Sequence, residues 1–152
     1  MPNLLPSEAA NKTIAAFGWP ASLVKDYGSW VVLVRPAQPT WGSLVLACTE
    51  DAEAFSDISA EAFAALPRAI KDIETALKAA FDYDKINYLM LMMVDPNVHY
   101  HVIPRYAATR SFKGAENVDS GWPGPSALGD AITLETGEVL AMAEHLKTHW
   151  LT

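Results

Sequence analysis

The chain has 152 residues, of which 51% are hydrophobic and 19% charged, and its formal net charge is −7. This length and balance fit one folded domain with a substantial core, and they exclude an extensively disordered chain. The negative charge excludes nucleic acid as the expected main partner, because a phosphate backbone would be repelled on average.

The single cysteine, Cys48, excludes a disulfide within this sequence and a cysteine-based zinc site, and it fits a reducing compartment. The N-terminal residues lack the basic stretch and apolar segment of a secretory signal. No apolar run reaches the roughly 18 residues that a membrane-spanning helix needs. We therefore expect a cytoplasmic protein that makes no membrane contact.

The first predicted element is a helix that starts at Ser7, a candidate N-cap, and ends at Gly18-Trp19-Pro20. Residues 21–28 are expected to be connecting chain or a weak extra turn. Two runs rich in β-branched residues follow, Trp30–Val34 and Ser43–Cys48, and the prolines and glycine between them mark a connection. This pattern predicts an antiparallel hairpin.

A long amphipathic helix is predicted after Ser59, a second N-cap candidate. Apolar residues recur at spacings of three and four from Phe63 to Phe81, which is typical of a helix with one buried face. Pro67 lies inside this pattern and is expected to kink or split the helix. A further helix is predicted from Thr136 to about His149.

The segment Ile86–Val94 is apolar almost throughout and predicts a central strand buried on both faces, with its methionines in the core. Asp95-Pro96 is a turn signal that leads directly into the next strand.

In that next strand, polar residues alternate with apolar ones. Asn97, His99 and His101 are expected on one face because side chains of a strand alternate in direction. The residues that alternate with them, Val98, Tyr100 and Val102, then face the core. Pro104 lacks a backbone N–H and is expected to end the regular pairing.

Two imidazoles on one strand face support phosphoryl chemistry. A neutral imidazole is a nucleophile toward phosphorus, and a neighbouring imidazolium can protonate a leaving oxygen. On the residues alone, His99 and His101 also fit a structural pair, or metal ligands completed by His145 or His149. These three readings stay open at this level.

The stretch from Asn97 to Arg105 resembles the signature of the histidine triad (HIT) family, in which three histidines alternate with apolar residues and a Pro-Arg often follows. His99 corresponds to the central histidine and His101 to the third. Asn97 stands at the first position, so the triad is incomplete. Gly42 falls on a glycine of the family, and Ser43 stands where a histidine often follows.

The resemblance covers roughly residues 30–122 and implies an α+β fold with an approximately five-stranded antiparallel sheet packed with helices. We expect residues 1–152 to form one HIT-like domain with a core of about 28–125, an extra N-terminal helix and a C-terminal helix. The family also implies a homodimer.

The function implied by the resemblance is that of a nucleotide phosphohydrolase or nucleotidyl transferase. His99 would attack the α-phosphate of a dinucleoside polyphosphate or nucleoside phosphoramidate, and His101 would contact the phosphate and orient the site. No metal and no cofactor is expected to take part. The predicted partner is thus a small nucleotide or dinucleotide.

Substrate-binding residues are predicted on both sides of the histidines, namely Asn97, Arg105, Ser43 and Trp41. The loop that carries phosphate-binding donors in many HIT enzymes is missing between Met93 and Asn97. Phosphate contacts must therefore come from other groups, with four basic side chains as candidates, Arg35, Arg105, Arg110 and Lys113.

Two alternatives belong to other functional classes. One is a nucleotide-binding module that has lost turnover with the departures at Asn97 and Ser43. The other is a metal-binding protein that uses the His99 and His101 pair.

Overall fold

The computed structural model describes residues 10–150. The predicted helix start at Ser7 lies outside them. Within this range the chain forms three α-helices: α1 Lys12–Ala16, α2 Ala60–Phe81 and α3 Thr136–Lys147. It also forms nine strands: β1 Leu23–Asp26, β2 Trp30–Val34, β3 Ala37–Gln38, β4 Leu44–Cys48, β5 Lys85–Leu89, β6 His99–Arg105, β7 Arg110–Phe112, β8 Ala115–Asn117 and β9 Ile132–Thr133.

Five strands form one antiparallel sheet in the order β1-β2-β4-β6-β5. Two small sheets, β3 with β9 and β7 with β8, lie beside it. The predicted α+β architecture with a five-stranded antiparallel sheet is confirmed. The predicted hairpin of β2 and β4 is also confirmed, with Trp30 opposite Cys48 and Val34 opposite Leu44.

The two faces of the sheet carry different cores. One face packs against α2 and α3 and contains the large aromatic and aliphatic side chains, among them Trp30, Leu46 and Val102. The other face is smaller: Ile14 of α1 packs there on β2 and β4, with Phe17 and Trp19 at its border. Since α1 has only five residues, much of this second face is left for other groups.

Helix α2 begins as predicted, since the Ser59 hydroxyl accepts a hydrogen bond from the Ala62 amide. It continues through Pro67 without division, because a proline early in a long helix removes one hydrogen bond while the buried face around Ala69 and Ile73 continues to pack. Helix α3 begins with a capping box between Glu135 and Glu138.

The expectation of connecting chain over residues 21–28 is wrong. Residues Leu23–Asp26 form the edge strand β1, which pairs with β2. The signal is weak in sequence because the strand is short, half polar and irregular in register between Leu23 and Lys25. Gly28, with φ of +86°, allows the turn into β2, and its amide donates to Asp26 Oδ1 at 2.7 Å.

The expectation of a central strand over Ile86–Val94 is also wrong. Strand β5 ends at Leu89 and lies at the edge of the sheet, and residues 90–98 run to β6 without regular secondary structure. Met93 and Val94 are 83% and 90% exposed. An apolar run alone does not distinguish a buried strand from an edge strand followed by an exposed apolar link.

Pro104 does not end the pairing as expected, because β6 continues to Arg105 and Pro104 lies opposite Ile86. Pairing with β4 extends only from His99 to Val102, so Pro104 lies where β6 has a neighbour on one side. This is the position in a sheet at which a proline is tolerated.

Candidate active site

The two histidines of β6 lie together on the smaller face of the sheet. His99 is opposite Ala47 and His101 is opposite Val45, both on the face covered by α1. Their ring centroids are 5.0 Å apart and the rings are nearly perpendicular, at 80°. His99 is 2% and His101 8% exposed, so the pair is shielded from bulk water. The predicted placement on one face is thus what the register produces.

The hydrogen bonding of His99 determines where its proton lies. Its Nδ1 is 2.7 Å from the backbone oxygen of Asn97. Because a carbonyl oxygen only accepts, Nδ1 must carry the hydrogen, and in the neutral ring Nε2 then carries the lone pair. This is the arrangement that a nucleophilic imidazole requires.

The side chain and the backbone amide of Asn97 both form hydrogen bonds within the protein. Its Oδ1 accepts from the amide and hydroxyl of Thr13 at 3.4 and 3.3 Å, and its Nδ2 donates to Asp51 at 3.1 Å. Its own amide donates to Thr13 Oγ1 at 2.9 Å. The side chain therefore fixes the backbone carbonyl that orients His99, and its polar atoms already have protein partners.

His101 is held from the other side by Arg35, the residue that follows β2. The Nε–H of Arg35 donates to His101 Nδ1 at 3.3 Å. Burial, then the positive charge of Arg35 and then His99 lower the pKa of His101 from 6.5 to about 4. His101 is therefore neutral at pH 7, with its proton on Nε2, and acts as a hydrogen-bond donor there rather than as an imidazolium.

A cavity of about 340 Å³ opens beside this pair. Its walls are mainly apolar, with one cation and one carboxylate. It is lined by His99, His101, Arg35, Phe17, Leu91, Met93, Val94 and Asp95. This volume lies near the lower end of the range for small-molecule sites in proteins.

Phe17 is the aromatic residue that reaches the histidines. Its ring centroid lies 5.6 Å from that of His99 and 5.8 Å from that of His101. Sequence reasoning assigned no chemistry to this first segment, and it placed Leu91, Met93 and Val94 in the core. The signal that was present, an aromatic residue next to Gly18, is too common to predict a contact with residues more than 80 positions away.

Arg105, predicted to bind substrate, lies elsewhere. Its guanidinium is buried and forms a two-point ion pair with Asp119, at 2.8 and 3.1 Å, and it also donates to Asn87 Oδ1 and to the Gly124 oxygen. It lies at the opposite end of β6 from His99, four positions after His101. These contacts fix the loop that contains Asp119.

Ser43 and Trp41 are likewise not brought to the histidines. The Ser43 hydroxyl is buried and donates to the Thr40 oxygen at 2.7 Å, which closes the turn before β4. Trp41 is buried in the large core, and its Nε1–H donates to the Ala115 oxygen at 3.0 Å. A role of these two residues in binding substrate stays a prediction that the geometry does not support.

The remaining basic candidates are also accounted for. Arg110 caps the end of α2, where its guanidinium donates to the oxygens of Phe81 and Asp82 at 2.7 and 2.8 Å. Lys113 borders separate cavities next to α3. Of the four basic side chains named from the sequence, Arg35 is the one that lines the histidine cavity.

The alternative metal site would need a third ligand. In the part of the chain from 10 to 150, no group of three or more histidine, cysteine, aspartate or glutamate side chains is placed to hold a metal ion. His145 instead packs on Phe81 and Phe112, on the side of the sheet that carries α2 and α3. In the same part of the chain, no helix has the length and apolar character to cross a membrane.

Several solved structures share this fold. A histidine triad protein from Sinorhizobium meliloti 1021 superposes with a TM-score of 0.66 at 22% identity, over 84% of this chain and 87% of that one. A histidine triad protein from Bradyrhizobium japonicum gives 0.64 at 23% identity, over 84% and 89%. The diadenosine triphosphate hydrolase of Plasmodium falciparum gives 0.62 at 10% identity, over 85% and 76%.

A search of curated proteins finds no significant match. The sequence profile of the HIT domain, by contrast, matches residues 22–108, more than half of the chain and including both histidines of the site. Together with the five-stranded fold, this match shows that the chain belongs to the HIT domain family.

Proposed function

We propose that this protein is a nucleotide hydrolase or nucleotidyl transferase in which Nε2 of His99 attacks the α-phosphorus of a nucleotide. Members of the HIT family are generally nucleotide hydrolases or transferases. The observation that carries the proposal is the hydrogen bond from His99 Nδ1 to the Asn97 oxygen, which leaves the lone pair on Nε2.

In this reaction a bond forms between His99 Nε2 and phosphorus while the bond from phosphorus to the leaving oxygen or nitrogen breaks. The leaving group departs with the electron pair and takes up a proton from the solvent, and the water that attacks in the next step returns a proton to the solvent. The Nε2–H of neutral His101 donates a hydrogen bond to a phosphoryl oxygen as charge develops there. Water then attacks the nucleotidyl-histidine, which regenerates His99 and releases a nucleoside monophosphate; an acceptor in place of water gives transfer.

We also propose that residues 1–152 form one HIT-like domain with its core over about 28–125, and that the protein acts in the cytoplasm as a homodimer on a small nucleotide or dinucleotide. The family resemblance supports the dimer. Light scattering across a range of protein concentrations tests it, since a stable dimer keeps twice the mass of the 16.5 kDa chain on dilution.

The direct test is the release of AMP from diadenosine tetraphosphate and from adenosine phosphoramidate in excess chelator. We expect release by the native protein, and a loss of at least about 1,000-fold in His99→Ala because the nucleophile is removed. His149→Ala is the matched control, since His149 lies beside α3 and outside the cavity. It is expected to retain native activity.

Other outcomes favour the other two functional classes. Binding of a nucleotide without release of AMP would favour a non-catalytic nucleotide-binding module. Release that chelator abolishes and one metal ion restores would favour a metal-dependent reaction at His99 and His101. Equal release by native protein and His99→Ala would contradict the histidine nucleophile.

A further inference from the structure

We propose that Arg35 is the phosphate-binding cation of this site and that it also fixes the tautomer of His101. The inference rests on the proposed function and deepens it, because it names the charge that receives the phosphate. Three observations support this inference: the position of the guanidinium, the contacts that already engage the other basic residues, and the hydrogen-bonding rules of imidazole.

Two of the three guanidinium nitrogens of Arg35, Nε and Nη1, form hydrogen bonds within residues 10–150. Its Nε–H donates to His101 Nδ1 at 3.3 Å, and its Nη1 donates to the Ala37 oxygen at 2.6 Å. These contacts fix the plane of the group. Among residues 10–150, no hydrogen-bond partner is found for Nη2 of Arg35, so this nitrogen is available to a ligand in the cavity that Arg35 lines.

Across residues 10–150, Arg35 also forms no ion pair that would neutralise its charge. The ion pairs found across the described part of the chain involve Arg68, Lys78, Arg105 and Lys147. Burial lowers the pKa of Arg35 from its usual range, but an arginine side chain remains protonated in proteins. A half-buried cation without a carboxylate partner, beside two histidines, is suited to an anion.

The contact with His101 has a chemical consequence. The Nε–H of an arginine can only donate, so Nδ1 of His101 must accept and its hydrogen must lie on Nε2. The site then presents a lone pair on His99 and an N–H on His101, while Arg35 supplies the positive charge. A phosphoryl group between them would receive a nucleophile, a hydrogen bond and a cation at once.

This arrangement offsets the donors that are missing from the short link between β5 and β6. Arg105 is paired with Asp119, Arg110 caps α2 and Lys113 borders other cavities, so none of them replaces Arg35. Within residues 10–150, the groups around His101 are Arg35 from the end of β2, His99 from its own strand, the uncharged Phe17 from the end of α1, and Asp95 of the link, which lines the same cavity.

The test compares Arg35→Gln and Arg35→Lys with Lys71→Gln, which removes one positive charge from an exposed position of α2. We expect Arg35→Gln to bind AMP at least about 10-fold more weakly in calorimetry and to lose about 100-fold or more in kcat/KM on adenosine phosphoramidate. Arg35→Lys is expected to recover part of the AMP affinity, because the charge returns, and less of kcat, because the fork geometry does not.

If Arg35 only stabilised the fold, the substitution Arg35→Gln would leave the pKa of His101 unchanged. Without the neighbouring cation the pKa of His101 rises, so the acid limb of the pH–rate profile is expected to move to higher pH in Arg35→Gln. Nitrogen NMR of the histidine rings gives the same readout without turnover, since the Nδ1 resonance of His101 reports whether that nitrogen carries hydrogen. Lys71→Gln should leave both measurements unchanged.

The proposal is overturned if Arg35→Gln binds AMP, turns over substrate and titrates at His101 as Lys71→Gln does, and in that case the histidine mechanism still stands. If the native protein binds AMP without releasing it from substrates, the mechanism fails, and loss of AMP binding in Arg35→Gln still supports Arg35. If the native protein neither binds AMP nor releases it from either substrate, both proposals fail. Should Arg35→Gln not fold, native values in Arg35→Lys overturn the role of Arg35.

Discussion

At the scale of single residues, the chemistry depends on which nitrogen of each imidazole carries hydrogen. His99 donates to a carbonyl and His101 accepts from a guanidinium, so the two rings have opposite tautomers on one face of β6. One ring therefore offers a lone pair and the other an N–H at Nε2. The alternation of polar and apolar residues in β6 predicts that the two histidines share a face, but it does not predict that their tautomers differ.

The low pKa of His101 makes stability depend on pH. The unfolded chain takes up a proton at this residue near pH 6.5, whereas the folded protein does so near pH 4. Because the unfolded state binds more protons between these values, the free energy of unfolding falls as pH falls through this window. We expect the native protein to lose about 2 kcal/mol more than His101→Gln between about pH 7 and about pH 4.5.

Urea denaturation of both proteins at the two pH values measures this difference. Using His101→Gln as the reference cancels the contribution of His145, whose pKa is also lowered by burial. Equal losses in the two proteins would mean that His101 titrates alike in the folded and unfolded states.

Sequence reasoning found the histidines and included Arg35 among four candidate cations, but of the four it chose Arg105 as the substrate-binding residue. Which cation lines the cavity depends on the register of β2, β4 and β6. This register places the end of β2 beside His101, whereas Arg105 forms an ion pair with Asp119. Registers between strands distant in sequence are set by tertiary packing, which a local pattern does not contain.

At the scale of elements, the short helix α1 positions His99, the proposed nucleophile. Asn11 caps it and donates to the Cys48 oxygen at 2.8 Å, and Thr13 contacts Asn97 through three hydrogen bonds. Because the carbonyl of Asn97 accepts from His99, α1 is connected to the His99 ring through Asn97. The family resemblance assigns the first triad position to Asn97, and here its side chain serves as an anchor.

Thr13→Val tests this connection with little change of shape. It removes the hydroxyl that both donates to Asn97 Oδ1 and accepts from the Asn97 amide, which leaves buried polar groups unpaired at a cost of about 1–3 kcal/mol. We expect a fall in kcat of about 10-fold with a smaller change in KM, because His99 is less well oriented.

The matched control is Thr75→Val, which makes the same change at an exposed position of α2. Steady-state kinetics and thermal unfolding of the two variants provide the comparison. If Thr13→Val lost stability without any change in kcat, α1 would not be needed to orient His99 for the reaction.

At the scale of the whole molecule, the fold class follows from the sequence while the edges of the sheet do not. The β2 and β4 hairpin, α2 and α3 have strong patterns and were predicted. Strand β1 and the exposed link after β5 were missed, since short or edge elements depend on neighbours more than on their own residues. That link forms a wall of the cavity.

The net charge of the protein and the charges at the histidine cavity favour a substrate with few negative charges. The protein carries a formal charge of −7, and the described residues 10–150 give the histidine cavity one cation, Arg35, and one carboxylate, Asp95. A tetraphosphate brings several negative charges for which residues 10–150 provide no further cation at the cavity, whereas a phosphoramidate brings about one. We expect kcat/KM on adenosine phosphoramidate to exceed that on diadenosine tetraphosphate by at least about 10-fold.

Adding salt tests the reason for this preference, because screening weakens the repulsion of the more highly charged substrate. The ratio of the two kcat/KM values should therefore fall as ionic strength rises. A ratio near one at low salt would contradict this account of the cavity.

The most direct test of the central claim is to trap the covalent intermediate. Native protein mixed with adenosine phosphoramidate, quenched rapidly and digested, should yield a peptide that carries one adenylyl group on His99. His99→Ala should yield none, and His101→Gln should still form the adduct more slowly. An adenylyl group on another residue, or release of AMP by His99→Ala at the native rate, would contradict His99 as the nucleophile.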